Sequence, residues 1–480
     1  MYDVIIIGGG IIGAATAHAL CRYQLKTLLI EREADIAVGA TKANSGILHA
    51  GYDCHPSTLK ADLNVKGLAM YPKLCKELDI PYRANGSLVI STSKGGHEGL
   101  NELYKRGKIN GVSDMELLTA EETLALEPNL TTNITGALRA KTAGIISPYE
   151  ACIAFAENAA TNGVEFLLET SVTGLATNKD GSFTVHTQTH FQANNLLHTK
   201  VIINAAGIES ATIHNHVHSK KEAINPQRGQ YYLLDNTQRD LVKHTIFQLP
   251  TNLGKGVLVV PTTDDNILIG PTAEPPENSN ATETTLQGLQ EVLEKTNQIL
   301  KHVPIHDRIT AFAGIRAKHV SKDFIIEEST PGFINAMGID SPGLTAAPAI
   351  AEKIAGLVTI RLQPAINHGH KPTRMGIKRF RQLSLSQQED IIKQNAAYGR
   401  IVCRCETITE AEIIDAINRP IGAKNLHALK RRTRAQMGRC QGGFCLTKLI
   451  DILSRELNIP ETAITLDGVG SELCFTTDFP

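Results

Sequence analysis

The chain has 480 residues, 42% of them hydrophobic and 20% charged, with a formal net charge of -1. That length supports two or three hydrophobic cores rather than one. The near-neutral balance removes any bulk electrostatic case for nucleic acid or acidic lipid as a partner. No run reads as long and apolar enough to span a bilayer. The first apolar strand starts at Tyr2, which leaves no room for a secretory leader. A cytoplasmic location is the expectation, with peripheral membrane contact left open.

Residues 3–7 form a short β-branched run that predicts a buried parallel strand. Gly8-Gly9-Gly10-Ile11-Ile12-Gly13 follows at once, then apolar positions at helical spacing, then a second apolar run, 27–30, ending at Glu31. This is a complete βαβ unit around G-x-G-x-x-G, the context in which that motif binds a dinucleotide. Gly8 permits the tight turn, Gly10 lets a pyrophosphate approach the backbone, and Gly13 lets helix and strand pack closely. The helix N-terminus offers free N–H groups to the phosphates. Glu31 can accept hydrogen bonds from the adenosine ribose.

The motif alone does not choose between nicotinamide and flavin dinucleotides. Residues 39–51 are dense in small and polar side chains, suited to lying along a pyrophosphate and a ring system. Two later segments, 201–207 and 333–345, read as buried strands ending in small residues. A helical run at 346–357 follows. Three separated segments returning to one sheet suit the long molecule flavin adenine dinucleotide (FAD). The last helix would aim its N-terminus at the flavin ring.

Residues 44–51, Arg228-Gly229-Gln230-Tyr231, Gly254-Lys255-Gly256-Val257, Gly270-Pro271-Thr272-Ala273, Phe312-Ala313-Gly314-Ile315-Arg316 and 341–350 carry a family resemblance. Over about residues 1–365 the chain resembles FAD-dependent glycerol-3-phosphate oxidases and dehydrogenases. These belong to the D-amino-acid-oxidase superfamily, close to the L-2-hydroxyglutarate dehydrogenases. The resemblance implies an α/β Rossmann-type FAD-binding domain from 1–84, 146–215 and 316–365. An interleaved α+β substrate domain with an antiparallel sheet would come from 85–145 and 216–315. Strands are expected at 87–91, 256–261 and 266–270, and an amphipathic helix at 286–300.

The resemblance also implies a set of site residues. Beside Gly8, Gly10, Gly13 and Glu31, the cofactor would meet Ile12, Arg32, Thr41, Asn44, Ser45, Gly46 and Ile47. Further on it would meet Val172, Ala206, Gly207, Gly338, Gly343, Leu344 and Thr345. His49 is the expected base, since alcohol oxidation needs a proton acceptor near neutral pH. Arg316 is the expected clamp on a carboxylate or phosphate. Lys255 is a second phosphate contact, and Ser341 donates to substrate or flavin, or caps the next helix. Asp340 stands beside Ser341, so an anion there requires its carboxylate to point away.

Residues 366–397 hold an excess of Lys and Arg and read as a solvated basic linker with a short helix. Cys403 and Cys405 then precede Cys440 and Cys445. Four thiolates in two close pairs can hold one iron–sulfur cluster or one zinc. The C-x-C and C-x4-C spacings differ from the C-x2-C of structural zinc. Over about 398–455 the segment resembles the [2Fe–2S] domain of bacterioferritin-associated ferredoxin, a small mainly helical unit. This implies that the four cysteines ligate one [2Fe–2S] cluster. Lys430, Arg431, Arg432, Arg434 and Arg439 are expected to offset its charge and to dock an acidic electron-acceptor protein. Residues 456–480 remain as a C-terminal extension.

Together these features predict oxidation of sn-glycerol 3-phosphate at FAD, electrons leaving through the cluster to a separate acceptor. A 2-hydroxy acid such as L-2-hydroxyglutarate is the rival small-molecule substrate. A flavin and iron–sulfur electron-transfer subunit of a complex is the alternative of another class.

Overall fold

Tyr2–Ile7 alternates Val4 and Ile6 on one face with Ile5 and Ile7 on the other, and each side enters a different core. A strand buried on both faces belongs in the middle of a sheet. In the computed structural model, which describes residues 1–93, 95–190, 195–249 and 256–475, it lies there. It pairs in parallel with Thr27–Ile30 on one side and Asn195–Asn204 on the other. Phe333–Met337 joins the same eight-stranded sheet in parallel with the end of Asn195–Asn204. Four helices, Ile11–Leu20, Leu59–Leu78, Pro148–Thr161 and Gly343–Leu362, pack on the Val4/Ile6 face.

Gly343–Leu362 is 20 residues long and apolar enough by composition to cross a membrane, contrary to the expectation that no run would be. It is a core helix here, with 61% of its apolar window buried against the protein.

A second eight-stranded sheet roofs the end of the first, in the order Arg308–His319, Ile224–Leu234, Ile267–Gly270, Leu258–Pro261, Thr245–Gln248, Ser87–Ser91, Gly136–Ala140, Met115–Thr119. It is antiparallel except where Thr245–Gln248 runs parallel to Ser87–Ser91. The amphipathic segment forms a helix over Leu286–Thr296, buried through Val292.

The C-terminal unit has its own core. Strands Ile401–Cys403 and Ile408–Thr409 lead into helices Glu410–Asn418, Leu426–Thr433 and Leu446–Leu457. The Thr409 side chain accepts from the Glu412 N–H, and the Glu412 carboxylate accepts from the Thr409 N–H at 2.8 Å, a reciprocal cap on the first helix. Ile464, from the C-terminal extension, completes this core.

The linker is not a solvated connector. Arg374 and, from the C-terminal unit, Arg419 pair with buried Glu157 at 2.6 and 2.8 Å. Arg379 pairs with Glu150, and Arg381 with Asp264. The charge excess that reads as solvated is matched by carboxylates far away in sequence.

Candidate active site and cluster site

A cavity of about 1560 Å³ opens where the two sheets meet. One end is built from the first βαβ unit. Gly8 has φ +111, and a Cβ there would stand 2.4 Å from the Ala205 carbonyl oxygen. At Gly13 a Cβ would fall 1.9 Å from the Gly8 carbonyl oxygen, so only glycine lets the helix start this close. Thr41 Oγ1 accepts from the Ile11 N–H at 3.0 Å, tying the 39–45 loop to the helix N-terminus. Glu31 accepts from the N–H groups of Gly9 and Glu33 at 2.5 and 3.0 Å. Burial raises its pKa, against these two bonds. A carboxylate has about four lone-pair sites, so Glu31 retains acceptors for a ribose.

Gly8, Gly10, Ile12, Glu31, Arg32, Thr41, Asn44, Ser45, Ile47, Val172, Ala206, Gly207, Gly343 and Leu344 line this cavity. Gly13, Gly46, Gly338 and Thr345 do not line it. Gly46, at φ +65, makes room for the Ile146 carbonyl. Thr345 Oγ1 accepts from the His49 N–H at 2.9 Å. The length of this groove, its glycine floor and its paired acceptor fit a dinucleotide carrying a ring system.

At the other end, His49 is held through its backbone by Thr345 and by Asn64, whose Nδ2 donates to the His49 carbonyl at 2.9 Å. Its Nε2 lies 3.3 Å from Ser341 Oγ, and Phe247 stands 5.7 Å from its ring. Arg316 reaches the cavity from the Arg308–His319 strand and donates from Nη1 to the Thr272 carbonyl at 3.3 Å. Gly229 opposite has no side chain because a Cβ would lie 2.5 Å from Nη2. Among the described residues no carboxylate pairs with Arg316, leaving its charge for a ligand. Asp340 pairs with Lys60, both side chains nearly buried, so the acid beside Ser341 is neutralised within the protein. Lys255 lies outside the described residues. The stacked pair Tyr231 and Phe312, 4.9 Å apart, and Phe247 also line the cavity. Tyr231 and Phe312 lie in segments that carry the family resemblance, but only the structure places them, with Phe247, on the cavity.

In the C-terminal unit the thiols pair across the motif rather than within it. Cys403 contacts Cys445, and Cys405 contacts Cys440. The Cys445 hydrogen bond is the main reason the Cys403 thiol falls to about 6, helped by backbone N–H groups of Gln436 and Glu406. Cys440 also falls: burial opposes this, but the Cys405 thiol and the N–H groups of Gly442 and Phe444 outweigh it. Gly438 is needed for the approach, since a Cβ there would lie 2.3 Å from Cys405 Cβ. Among the described residues no three ligands surround a single point. Four neighbouring thiols that receive backbone N–H groups are a donor set suited to a thiolate-ligated iron–sulfur cluster.

Three of the basic residues expected at this site, Arg431, Arg432 and Arg434, are buried in ion pairs and so are not presented for docking. Arg431 and Arg432 are buried on Asp35 at 2.7 Å each. Arg434 is buried between Asp264 and Glu406 at 3.0 and 2.8 Å. Arg439 pairs with Asp235 at 3.1 Å. Four of these five contacts fasten the C-terminal unit to the two sheet domains, which is the physical reason for the basic helix.

Residues 3–357 match the family model of FAD dependent oxidoreductases, and 401–455 match that of the BFD-like [2Fe-2S] binding domain. A glycerol 3-phosphate dehydrogenase of Caloramator mitchellensis is 45% identical over 474 residues, 98% of each chain. A glycerol 3-phosphate oxidase of Mycoplasma pneumoniae is 32% identical, spanning 77% of this chain and 97% of its own. The dithionite-reduced L-alpha-glycerophosphate oxidase of Mycoplasma pneumoniae with FAD bound superposes with a TM-score of 0.74 at 31% identity. It covers 78% of this chain and 98% of its own. The chain therefore belongs to the FAD dependent oxidoreductases, among the relatives of glycerol 3-phosphate dehydrogenase and oxidase, and carries a BFD-like [2Fe–2S] domain.

Proposed function

We propose that the protein oxidises sn-glycerol 3-phosphate to dihydroxyacetone phosphate and passes the electrons to a separate acceptor. The observation that carries this reading is full-length similarity to a glycerol 3-phosphate dehydrogenase, combined with His49, Ser341 and Arg316 on one cavity. Bound FAD supplies a two-electron hydride acceptor, and the [2Fe–2S] cluster a one-electron carrier.

The chain's own residues do the rest. His49 Nε2 receives the proton of the substrate's secondary hydroxyl as the alcohol becomes a ketone. Ser341 Oγ, 3.3 Å from that nitrogen, marks where a hydroxyl donor sits on it. Arg316 holds the phosphate through paired N–H groups, orienting the carbon that loses hydride. Phe247, Tyr231 and Phe312 keep water from the reacting carbon. The Lys60–Asp340 pair keeps an uncompensated carboxylate away from the anion. Lys255 serves as a second phosphate contact in this reading.

Anaerobic reduction of the bound flavin by a panel of substrates tests it. Rapid bleaching by sn-glycerol 3-phosphate and not by L-2-hydroxyglutarate is expected. Faster bleaching by the hydroxy acid would transfer the assignment to the rival substrate. Bleaching by neither, with reduction by a partner protein, would make the chain an electron-transfer subunit.

A further inference from the structure

The segment 31–46, which joins Thr27–Ile30 to Ile47–Leu48 and lines the nucleotide end of the cavity, is gripped at two points by the iron–sulfur unit. The first is Asp35, which is buried and shared by Arg431 and Arg432 at 2.7 Å each, with a second Arg432 contact at 2.8 Å. The second is Lys42, whose Nζ stands 3.5 Å from Asp467 Oδ2. Asp467 comes from the C-terminal extension, beyond the matched [2Fe–2S] domain, and itself lines the cavity. His427 Nδ1 lies 3.4 Å from the same oxygen, and Arg431 Nη1 lies 3.8 Å from Asp467 Oδ1.

The extension is anchored in the iron–sulfur unit. The N–H groups of Leu426 and His427 donate to the carbonyls of Thr465 and Leu466 at 3.2 and 2.9 Å. Ile464 is fully inside that unit's core. Gly468 then packs on the 31–46 segment, where a Cβ would come within 3.1 Å of Ala34 Cβ.

We infer that the iron–sulfur unit, through Asp467 and the Asp35–Arg431–Arg432 cluster, is a clasp that retains FAD by fixing the 31–46 segment against its nucleotide end. This rests on FAD occupying the cavity. Asp35 and Asp467 are positioning residues: they act through that segment. This segment must move away from the cavity for the nucleotide to leave, so ion pairs that hold it slow release. The same contacts link the two prosthetic groups thermodynamically, since whatever favours the docked unit also favours bound FAD.

The test is the rate of FAD release from the anaerobically prepared holoenzyme, followed by free-flavin fluorescence after dilution. Asp35→Asn weakens a buried pair and should speed release about tenfold or more. Asp467→Asn weakens a half-exposed pair and should speed it a few-fold. Glu127→Gln weakens the buried Glu127–His244 pair beside the second sheet, which touches neither the 31–46 segment nor the C-terminal unit. It should lower the melting temperature yet leave release within twofold of the parent. Release within twofold of the parent for both aspartate variants, with iron content intact, overturns the proposal. So does equal acceleration by Glu127→Gln, which would reduce the effect to general loosening. If Asp35→Asn fails to fold, Asp467→Asn decides by the same limit. A parent protein that holds no flavin would instead sink the cofactor assignment.

Discussion

The two ends of the flavin cavity are built in opposite ways. At the nucleotide end, Gly8, Gly10, Glu31 and Thr41 come from one continuous stretch, and backbone geometry supplies most of the binding groups. At the other end, His49, Arg316 and Ser341 come from separate segments, and in the proposed reaction their side chains supply the chemistry. A backbone site needs only glycines where a Cβ would collide. A side-chain site needs the whole fold to hold each group in place. The first should therefore fail by losing cofactor and the second by losing rate.

The largest effect is expected at His49. His49→Ala should slow anaerobic flavin reduction by about 10²–10⁴, measured by stopped flow, with FAD content unchanged. A native rate across pH would remove His49 as the base. Arg316→Ala should raise the substrate concentration for half-maximal reduction by about ten- to a hundredfold, the worth of a paired charged hydrogen bond. Its maximal rate should fall less, through poorer positioning.

Gly13→Ala should break the other end instead. The added carbon, 1.9 Å from the Gly8 carbonyl oxygen, forces helix and strand apart. FAD affinity should drop about tenfold or more, read from the flavin-to-protein ratio. Flavin that remains bound should be reduced at close to the parent rate. A slow rate with full FAD would show that the two ends are coupled through the helix.

A smaller, pH-dependent effect belongs to His18, on the first helix. Burial pushes its pKa down to about 4, although it hydrogen-bonds Asn158 Oδ1 at 2.9 Å. Asn158 Nδ2 donates to the Lys371 carbonyl at 3.0 Å, so Oδ1 is the acceptor and His18 Nδ1 carries the proton. The folded state prefers the neutral ring. Its contribution is complete above the unfolded value near 6.5 and is lost as pH falls toward 4, on the order of 3 kcal/mol. Urea midpoints at pH 7 and pH 4.5 should show this decline, and His18→Gln should reduce it.

The smallest effect on flavin reduction should come from Cys440→Ala. It should remove the cluster, seen as lost iron and acid-labile sulfide, and abolish transfer to the natural acceptor. Reduction of FAD by substrate should stay near the parent rate. One zinc and no iron in the anaerobically prepared parent would instead make the C-terminal unit structural.

By itself the sequence determined what depends on neighbouring residues. The βαβ unit around Gly8, Gly10 and Gly13, the strands at Thr27–Ile30 and Ser87–Ser91 and the helix from Leu286 follow from short-range periodicity and steric need. The four cysteines were legible from spacing, because thiolates in close pairs serve few purposes. Only the tertiary structure decided the rest. The basic run at 430–434 has the pattern of a solvated or docking helix, yet Arg431 and Arg432 are buried on Asp35, nearly 400 residues away in the chain. Asp340 looks adverse to an anion until Lys60 neutralises it. The cysteines pair as Cys403 with Cys445 and Cys405 with Cys440, across their sequence doublets. Charge and thiol partners are chosen by proximity in space, and periodicity along the chain carries no information about which distant segments the core brings together.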